Sequence, residues 1–214
     1  MPALFAELPR PPKRIAAGVA HVPAYLSPNM QADLVEAARQ VSRGMARPTL
    51  PSGQMSVYMQ PLGYRWQGNL NSYEPSPLPM PQWARQLGRQ GLLMASKSAP
   101  ELSGWVRRFR PEMLLINYYP PGARMGMHQD AGEESEAPIV SISIGDSALF
   151  RLGNTENRNR PWCEIQLLSG DLLVFGGEHR RAFHGVPKVY DGTAPEGCGI
   201  REGRINFTIR QVNL

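Results

Sequence analysis

An α+β fold is predicted for this chain: a barrel or sandwich of short strands with two helices packed on one face. Three observations predict it. Seven short runs rich in apolar residues follow Pro111, turn residues separate them, and two helical patterns precede them. A parallel sheet of the nucleotide-binding type needs helices between its strands, and these intervals leave no room for them. Neither G-x-G-x-x-G nor G-x-x-x-x-G-K-[ST] occurs.

In chain order, the first residues read as an arm. Ser27-Pro28 predicts an N-cap with proline at the first helical position, opening a helix to about Gly44 with Leu34, Ala37, Ala38 and Val41 as its apolar stripe. Residues 45–82 run through Pro48, Pro51, Gly53, Pro61, Gly63, Gly68 and Pro75 to Pro81, too broken for long elements. The same stretch carries Tyr58, Tyr64, Trp66 and Tyr73, an aromatic load unusual for loops. A second helix is predicted over Gln82 to Ser98, with Trp83, Leu87 and Leu93 facing inward. The predicted strands are Met113–Tyr118, Pro138–Ile144, Ala148–Leu152, Cys163–Leu168, Leu172–Phe175, Arg181–His184 and Arg204–Val212.

Composition narrows the class. The 214 residues include 21 glycines and 21 prolines, a turn-rich content still below the roughly 25–30% that marks disorder. No run approaches the ~18 apolar residues of a membrane span, and Met1 to Arg14 has no apolar signal-peptide core. Two cysteines, Cys163 and Cys198, make neither a disulfide framework nor a four-thiolate zinc site. The expectation is a soluble, cytoplasmic protein with no membrane partner. The net charge of +5 favours polyanionic partners, although an arginine-rich composition with only Lys13, Lys97 and Lys188 as lysines is an equally plain source of it.

His128-Gln129-Asp130 is the first spot with chemistry. In extended chain, residues i and i+2 share a face, so His128 and Asp130 can converge on one metal ion. Four histidines are present. His21 lies in the arm, His179 sits in the charged run Glu178-His179-Arg180-Arg181 and reads as solvated, and His184 ends a predicted strand where it can turn inward. Two imidazoles and one carboxylate leave three open positions on an octahedral ion, as in non-haem Fe(II) oxygenases. Zinc hydrolysis can use the same donors, but H-E-x-x-H is absent.

The second spot is Arg204-Ile205-Asn206-Phe207-Thr208-Ile209-Arg210, which alternates without a break. An ordinary surface strand would do the same. Two arginines flanking two neutral hydrogen-bonding groups nevertheless suit a small dicarboxylate. Six residues span roughly 20 Å of backbone, so the arginines are expected to serve opposite ends of such a ligand.

Together with Asn117-Tyr118-Tyr119, Pro121-Gly122-Ala123, Ala137-Pro138-Ile139-Val140-Ser141, Gly170-Asp171, Gly176-Gly177-Glu178 and His184-Gly185, these motifs make the chain resemble the AlkB-type Fe(II)/2-oxoglutarate dioxygenases. The resemblance is close from about Leu114 to Gln211. It implies a double-stranded β-helix, or jelly roll, over residues 111–214. An N-terminal extension over 1–110 would carry the helices and a substrate-binding lid at about 45–82, all within a single domain. It implies iron held by His128, Asp130 and His184. The 2-oxo acid end of 2-oxoglutarate would lie near Arg210 and Asn117, and its far carboxylate would meet Arg204 with help from Asn206, Tyr119 and Thr208. The implied reaction uses O2 and 2-oxoglutarate to oxidise the methyl of N1-methyladenine or N3-methylcytosine, releasing succinate, CO2 and formaldehyde. The implied partner of this monomeric enzyme is single-stranded DNA, with duplex DNA and RNA also in reach. A hydroxylase of proteins or small molecules with the same centre is the alternative, and a non-catalytic jelly-roll binder is a third class.

The chain departs from the family around the lesion. Tyr64 follows Leu62-Gly63 where bacterial members have Trp, with Trp66 two residues on, and either ring could stack on a flipped base. Asn69 stands where a phosphate-contacting Tyr is expected. Gly132 replaces the acidic base-reading residue, leaving Glu133 as its substitute. Arg158 aligns with an arginine near the lesion, and Arg124 is the candidate for a phosphate or rim contact.

Overall fold

The computed structural model describes residues 10–42, 44–50, 53–68 and 70–214; Pro51 and Asn69 lie outside them. The chain opens with β1 (Lys13–Ala16) and β2 (Val19–Val22), then α1 (Pro28–Val41). Next come β3 (Thr49–Leu50), β4 (Gly53–Gln54), β5 (Tyr58–Leu62), β6 (Tyr64–Gln67) and β7 (Ser72–Pro75). Helix α2 (Gln82–Ser96) and a 3-10 turn (Pro100–Trp105) lead into β8 (Met113–Tyr119) and β9 (Met125–His128). The last strands are β10 (Ile139–Gly145), β11 (Ser147–Leu152), β12 (Cys163–Leu167), β13 (Leu172–Phe175), β14 (His184–Tyr190) and β15 (Arg204–Arg210).

These strands form a double-stranded β-helix. One antiparallel sheet has the order β1-β2-β13-β10-β15-β8-β5, and the facing sheet has the order β12-β11-β14-β9. Both helices cover the outer face of the larger sheet. Leu34, Val35 and Ala38 of α1 and Ala84, Leu92 and Ala95 of α2 share one core with Leu114, Val140, Ile142, Phe207 and Ile209. Helix α2 comes close because Gly88 offers no side chain: a Cβ there would meet Ile209 Cγ2 at 2.7 Å. A second core lies between the sheets, where Ile139, Leu173 and Phe175 meet Phe150, Ile165 and Val189. Strand β15 divides the two, with Phe207 and Ile209 turned to the helices and its polar residues turned to the sheet interior.

Several expectations need correction. The N-terminal arm is a hairpin: β1 pairs with β2, and β2 pairs with β13, so it extends the main sheet. Its strands are four residues each, too short to stand out in the sequence. Strand β5, from the Pro- and Gly-rich stretch, pairs with β8 at the opposite edge, where Pro61 is tolerated. The predicted strand over Arg181–His184 is misplaced. Residues 181–183 are irregular, and His184 begins β14, which continues through Gly185, Val186 and Pro187. Leu93 is 50% exposed rather than inward, whereas Trp83 and Leu87 pack on the core. His179 is not solvated: it is half-buried, and its Nδ1 lies 2.9 Å from the Ala17 carbonyl.

Candidate metal centre and active site

Strands β9 and β14 pair so that His128 and His184 are direct cross-strand partners, and Asp130 follows two residues after β9 ends. The donor atoms of His128, Asp130 and His184 all lie within 4.8 Å of one another. His128 Nε2 is 3.7 Å from Asp130 Oδ1, and His184 Nε2 is 3.5 Å from Asp130 Oδ2. Each imidazole Nδ1 faces a backbone carbonyl, Gly126 O at 3.0 Å and Ala182 O at 2.9 Å. A carbonyl only accepts, so Nδ1 carries the proton and the Nε2 lone pair is turned toward the shared centre.

The charges agree with a cation site. Burial and the neighbouring His184 lower the His128 pKa to about 4, which keeps that ring neutral and able to ligate. Burial alone would raise the Asp130 pKa. The Arg210 guanidinium and the two imidazoles outweigh it and hold the carboxyl well below its ordinary value. Two imidazoles and one carboxylate of this spacing fit an octahedral Fe(II) with open positions.

The inward face of β15 forms the floor beside the centre, where Arg210 reaches Asp130. Its register places Arg204 opposite Tyr119 and Asn206 opposite Asn117 on β8, with Asn206 opposite Ser143 and Thr208 opposite Ser141 on β10. Directly opposed residues share a sheet face. Arg204 is 1% exposed, lies over the Tyr119 ring, and donates Nη2 to Ser143 Oγ at 2.9 Å. Its Nε and Nη1 find no hydrogen-bond acceptor among the described residues. A guanidinium taken out of water without an anion costs several kcal/mol, so this one fits a ligand carboxylate. Burial pulls its pKa down, as it does for a cation without an ion partner.

The other implied 2-oxoglutarate residues divide. Asn117 Oδ1 also has no partner among the described residues. Asn206 is spent within the protein: its Nδ2 donates to Ser141 Oγ and Ile142 O, and its Oδ1 accepts from Thr208 Oγ1 and Asn117 Nδ2. Arg210 has Nη2 2.7 Å from Asp130 Oδ2 and Nη1 3.0 Å from Glu133 Oε1, while its Nε finds no acceptor among the described residues.

Around this floor, the lesion candidates scatter. Tyr64 and Trp66 lie on one face of the β6–β7 hairpin, with Tyr73 directly opposite Trp66. The Tyr64 hydroxyl accepts from Asn213 Nδ2 at 3.0 Å, while Trp66 is 47% exposed. Arg158 is exposed above the Phe183 ring, and Arg124 is exposed on the β8–β9 turn, its backbone tied to Ser56. Asn69 lies outside the described residues.

Glu133 does not substitute for an acid at position 132. It is 3% exposed, accepts from Tyr73 and Arg210, and has Arg180 3.5 Å away. Gly132 has its own reason to be glycine. Its φ is +103°, and a Cβ there would meet the Asn71 carbonyl of the hairpin at 2.6 Å. Sequence reasoning missed Ser141 and Ser143, although the Val140-Ser141-Ile142-Ser143-Ile144 alternation of β10 signals their inward face. It passed over Tyr73 and Arg180, whose polar ends are buried by contacts distant in sequence.

A profile of the 2OG-Fe(II) oxygenase superfamily matches residues 18–210. The chain is 32% identical over 222 residues to the DNA N(6)-methyladenine demethylase ALKBH1D of Arabidopsis thaliana, covering 92% of this chain and 50% of that protein. It is 41% identical over 104 residues to the alpha-ketoglutarate-dependent dioxygenase AlkB of Escherichia coli K12, covering 48% of this chain and 46% of that protein. The solved structure of OsALKBH1 matches with a TM-score of 0.80 at 26% identity, over 94% of this chain and 100% of that one. The chain spans about half the length of the curated relatives it matches. The profile covers every strand that supplies a donor to the centre, so the chain belongs to the 2OG-Fe(II) oxygenase superfamily, and its relatives make it an AlkB-type member.

Proposed function

We propose that the protein oxidatively demethylates nucleobases in single-stranded nucleic acid, DNA and RNA both being within reach of the chemistry. The observation that carries the reading is the conjunction of two features: three metal donors within 4.8 Å of one another, and a buried arginine with two N–H groups lacking acceptors on β15, the strand whose Arg210 reaches Asp130. Bound Fe(II) with 2-oxoglutarate supplies the oxidation of a methyl carbon by O2. The chain's own residues do the rest. Arg204 and Asn117 orient the diacid, Phe150 and Phe175 pack beside His184 and keep the centre dry, and the β6–β7 hairpin presents Trp66 to a base. Oxygen inserted into the methyl C–H bond gives an N-hydroxymethyl group; breaking its N–C bond releases formaldehyde and, from the cationic N1-methyladenine or N3-methylcytosine, a proton, leaving the ring nitrogen with its lone pair. Every donor comes from one chain, which supports action as a monomer.

Cationic N1-methyladenine and N3-methylcytosine are favoured by cheap flipping, because the methyl blocks pairing, and by cation–π stacking of about 0.5–2 kcal/mol on Trp66. A specific observation favours a second substrate, the neutral N6-methyladenine named for the Arabidopsis relative. Glu133 is tied to Tyr73 and Arg210, and Gly132 carries no side chain, so neither offers a free carboxylate to a cationic ring. Formaldehyde release from matched oligonucleotides bearing each lesion tests both. Faster release from either methylated base supports demethylation. Release only from a methylated peptide or free small molecule overturns it.

A further inference from the structure

A hydroxyl of the β6–β7 hairpin reaches the charged residues that surround Asp130. Tyr73 Oη donates to Glu133 Oε1 at 3.1 Å and accepts from Arg210 Nη1 at 2.8 Å. The same Arg210 Nη1 donates to Glu133 Oε1 at 3.0 Å, closing a triangle, and Arg210 Nη2 reaches Asp130 Oδ2 at 2.7 Å. Thus one buried guanidinium is shared between a metal-ligand carboxylate and the hairpin tyrosine. The hairpin turn closes on the same loop, where the Asn71 carbonyl sits against Gly132, two residues after Asp130. Glu133 is held from its other oxygen by Arg180, which also donates Nη1 to the Asp130 carbonyl at 3.3 Å.

We propose that Tyr73 is a positioning residue that couples the β6–β7 hairpin to the Asp130 carboxylate through Arg210 and Glu133, so that metal loading steadies the hairpin and the hairpin steadies the metal site. The coupling is reciprocal because a ligand that favours one arrangement of the shared network must itself be favoured by it. It rests on the reading of His128, Asp130 and His184 as the iron ligands. Geometry gives it a direction. With Tyr73 bonded, Arg210 is fixed at both ends and Asp130 is held in one orientation; without the hydroxyl, Arg210 Nη1 keeps only Glu133.

The test uses the full chain, Mn(II) as a redox-stable probe and amide hydrogen exchange across residues 64–75, with no nucleic acid present. In the wild type, Mn(II) with 2-oxoglutarate should slow exchange in the hairpin. Tyr73→Phe should abolish that metal-dependent slowing and weaken Mn(II) binding about three- to tenfold, below the 10- to 100-fold typical when a direct outer partner of a ligand is lost. Asn213→Ala, which frees the Tyr64 hydroxyl instead, should speed hairpin exchange at all metal concentrations and leave the metal-dependent slowing in place. Retained slowing and unchanged Mn(II) affinity in Tyr73→Phe overturns the coupling. So does a loss of slowing that Asn213→Ala reproduces, since the hairpin then responds to any loosening. Neither readout depends on demethylation, so failure of the coupling and failure of the proposed activity are told apart.

Discussion

His184 sits directly opposite His128 across the β9–β14 ladder, with ring centroids 4.5 Å apart. The two imidazoles therefore owe their separation to strand pairing, while their orientation comes from the backbone carbonyls behind each ring. A centre built this way resists small rearrangements, because moving either donor breaks a ladder.

Replacing His128, Asp130 or His184 with alanine should abolish Fe(II)-dependent turnover and stoichiometric Mn(II) binding, measured by calorimetry. The three variants should differ in stability. Asp130→Ala leaves Arg210 without its metal-side carboxylate, and losing one partner of a buried pair costs about 3–5 kcal/mol. His184→Ala lacks that penalty. His179→Ala should bind Mn(II) normally; loss of binding there, with binding retained in His184→Ala, would remove His184 from the ligand set.

Arg204→Lys should raise the 2-oxoglutarate concentration needed for half-maximal turnover, since an ammonium cannot reproduce the guanidinium fork. A charge-assisted pair is worth about 1.5–3 kcal/mol, roughly a 10- to 150-fold change. An unchanged requirement would place the far carboxylate away from β15.

Trp66→Ala should weaken demethylation of a single-stranded oligonucleotide about tenfold, in line with the ~1–3 kcal/mol of base stacking. Uncoupled succinate formation should persist. Tyr64→Phe keeps its ring and loses only the Asn213 hydrogen bond, so its effect should stay small. Equal loss of succinate and formaldehyde in Trp66→Ala would show that the hairpin supports the metal centre instead of the base.

Gly132→Asp should not create a base-reading acid. The new side chain meets the Asn71 carbonyl in a backbone conformation that costs about 1–3 kcal/mol for other residues, enough to lower Tm by roughly 2–10 °C. Activity on methylated bases should fall with it. Improved turnover of N1-methyladenine at unchanged Tm would mean that the hairpin yields readily at this point.

What the sequence made legible was local. The alternation of β15 announced one polar and one apolar face, and the His-x-Asp spacing announced convergent donors. The strand arithmetic could not tell that the polar face of β15 looks inward, because a solvated strand alternates in the same way. His179 and His184 could be separated only by their surroundings. The β1–β2 hairpin escaped notice because four-residue strands carry too little pattern, and its partner β13 lies 150 residues away at the His21–Asp171 contact. Glu133 was read as a substitute base-reading acid because its partners Tyr73, Arg180 and Arg210 come from three separate elements. Buried charge networks are assembled by the fold and leave no periodic trace in the chain.

The most direct test is the product ratio from a single-stranded oligonucleotide carrying one methylated base, with Fe(II), 2-oxoglutarate and O2 supplied. Formaldehyde and succinate are quantified together, and the restored base is read by mass spectrometry. The account predicts one formaldehyde and one restored base for each succinate above the background without oligonucleotide, all lost when a chelator removes the iron. Succinate that rises with the oligonucleotide while the methyl group stays in place would contradict it.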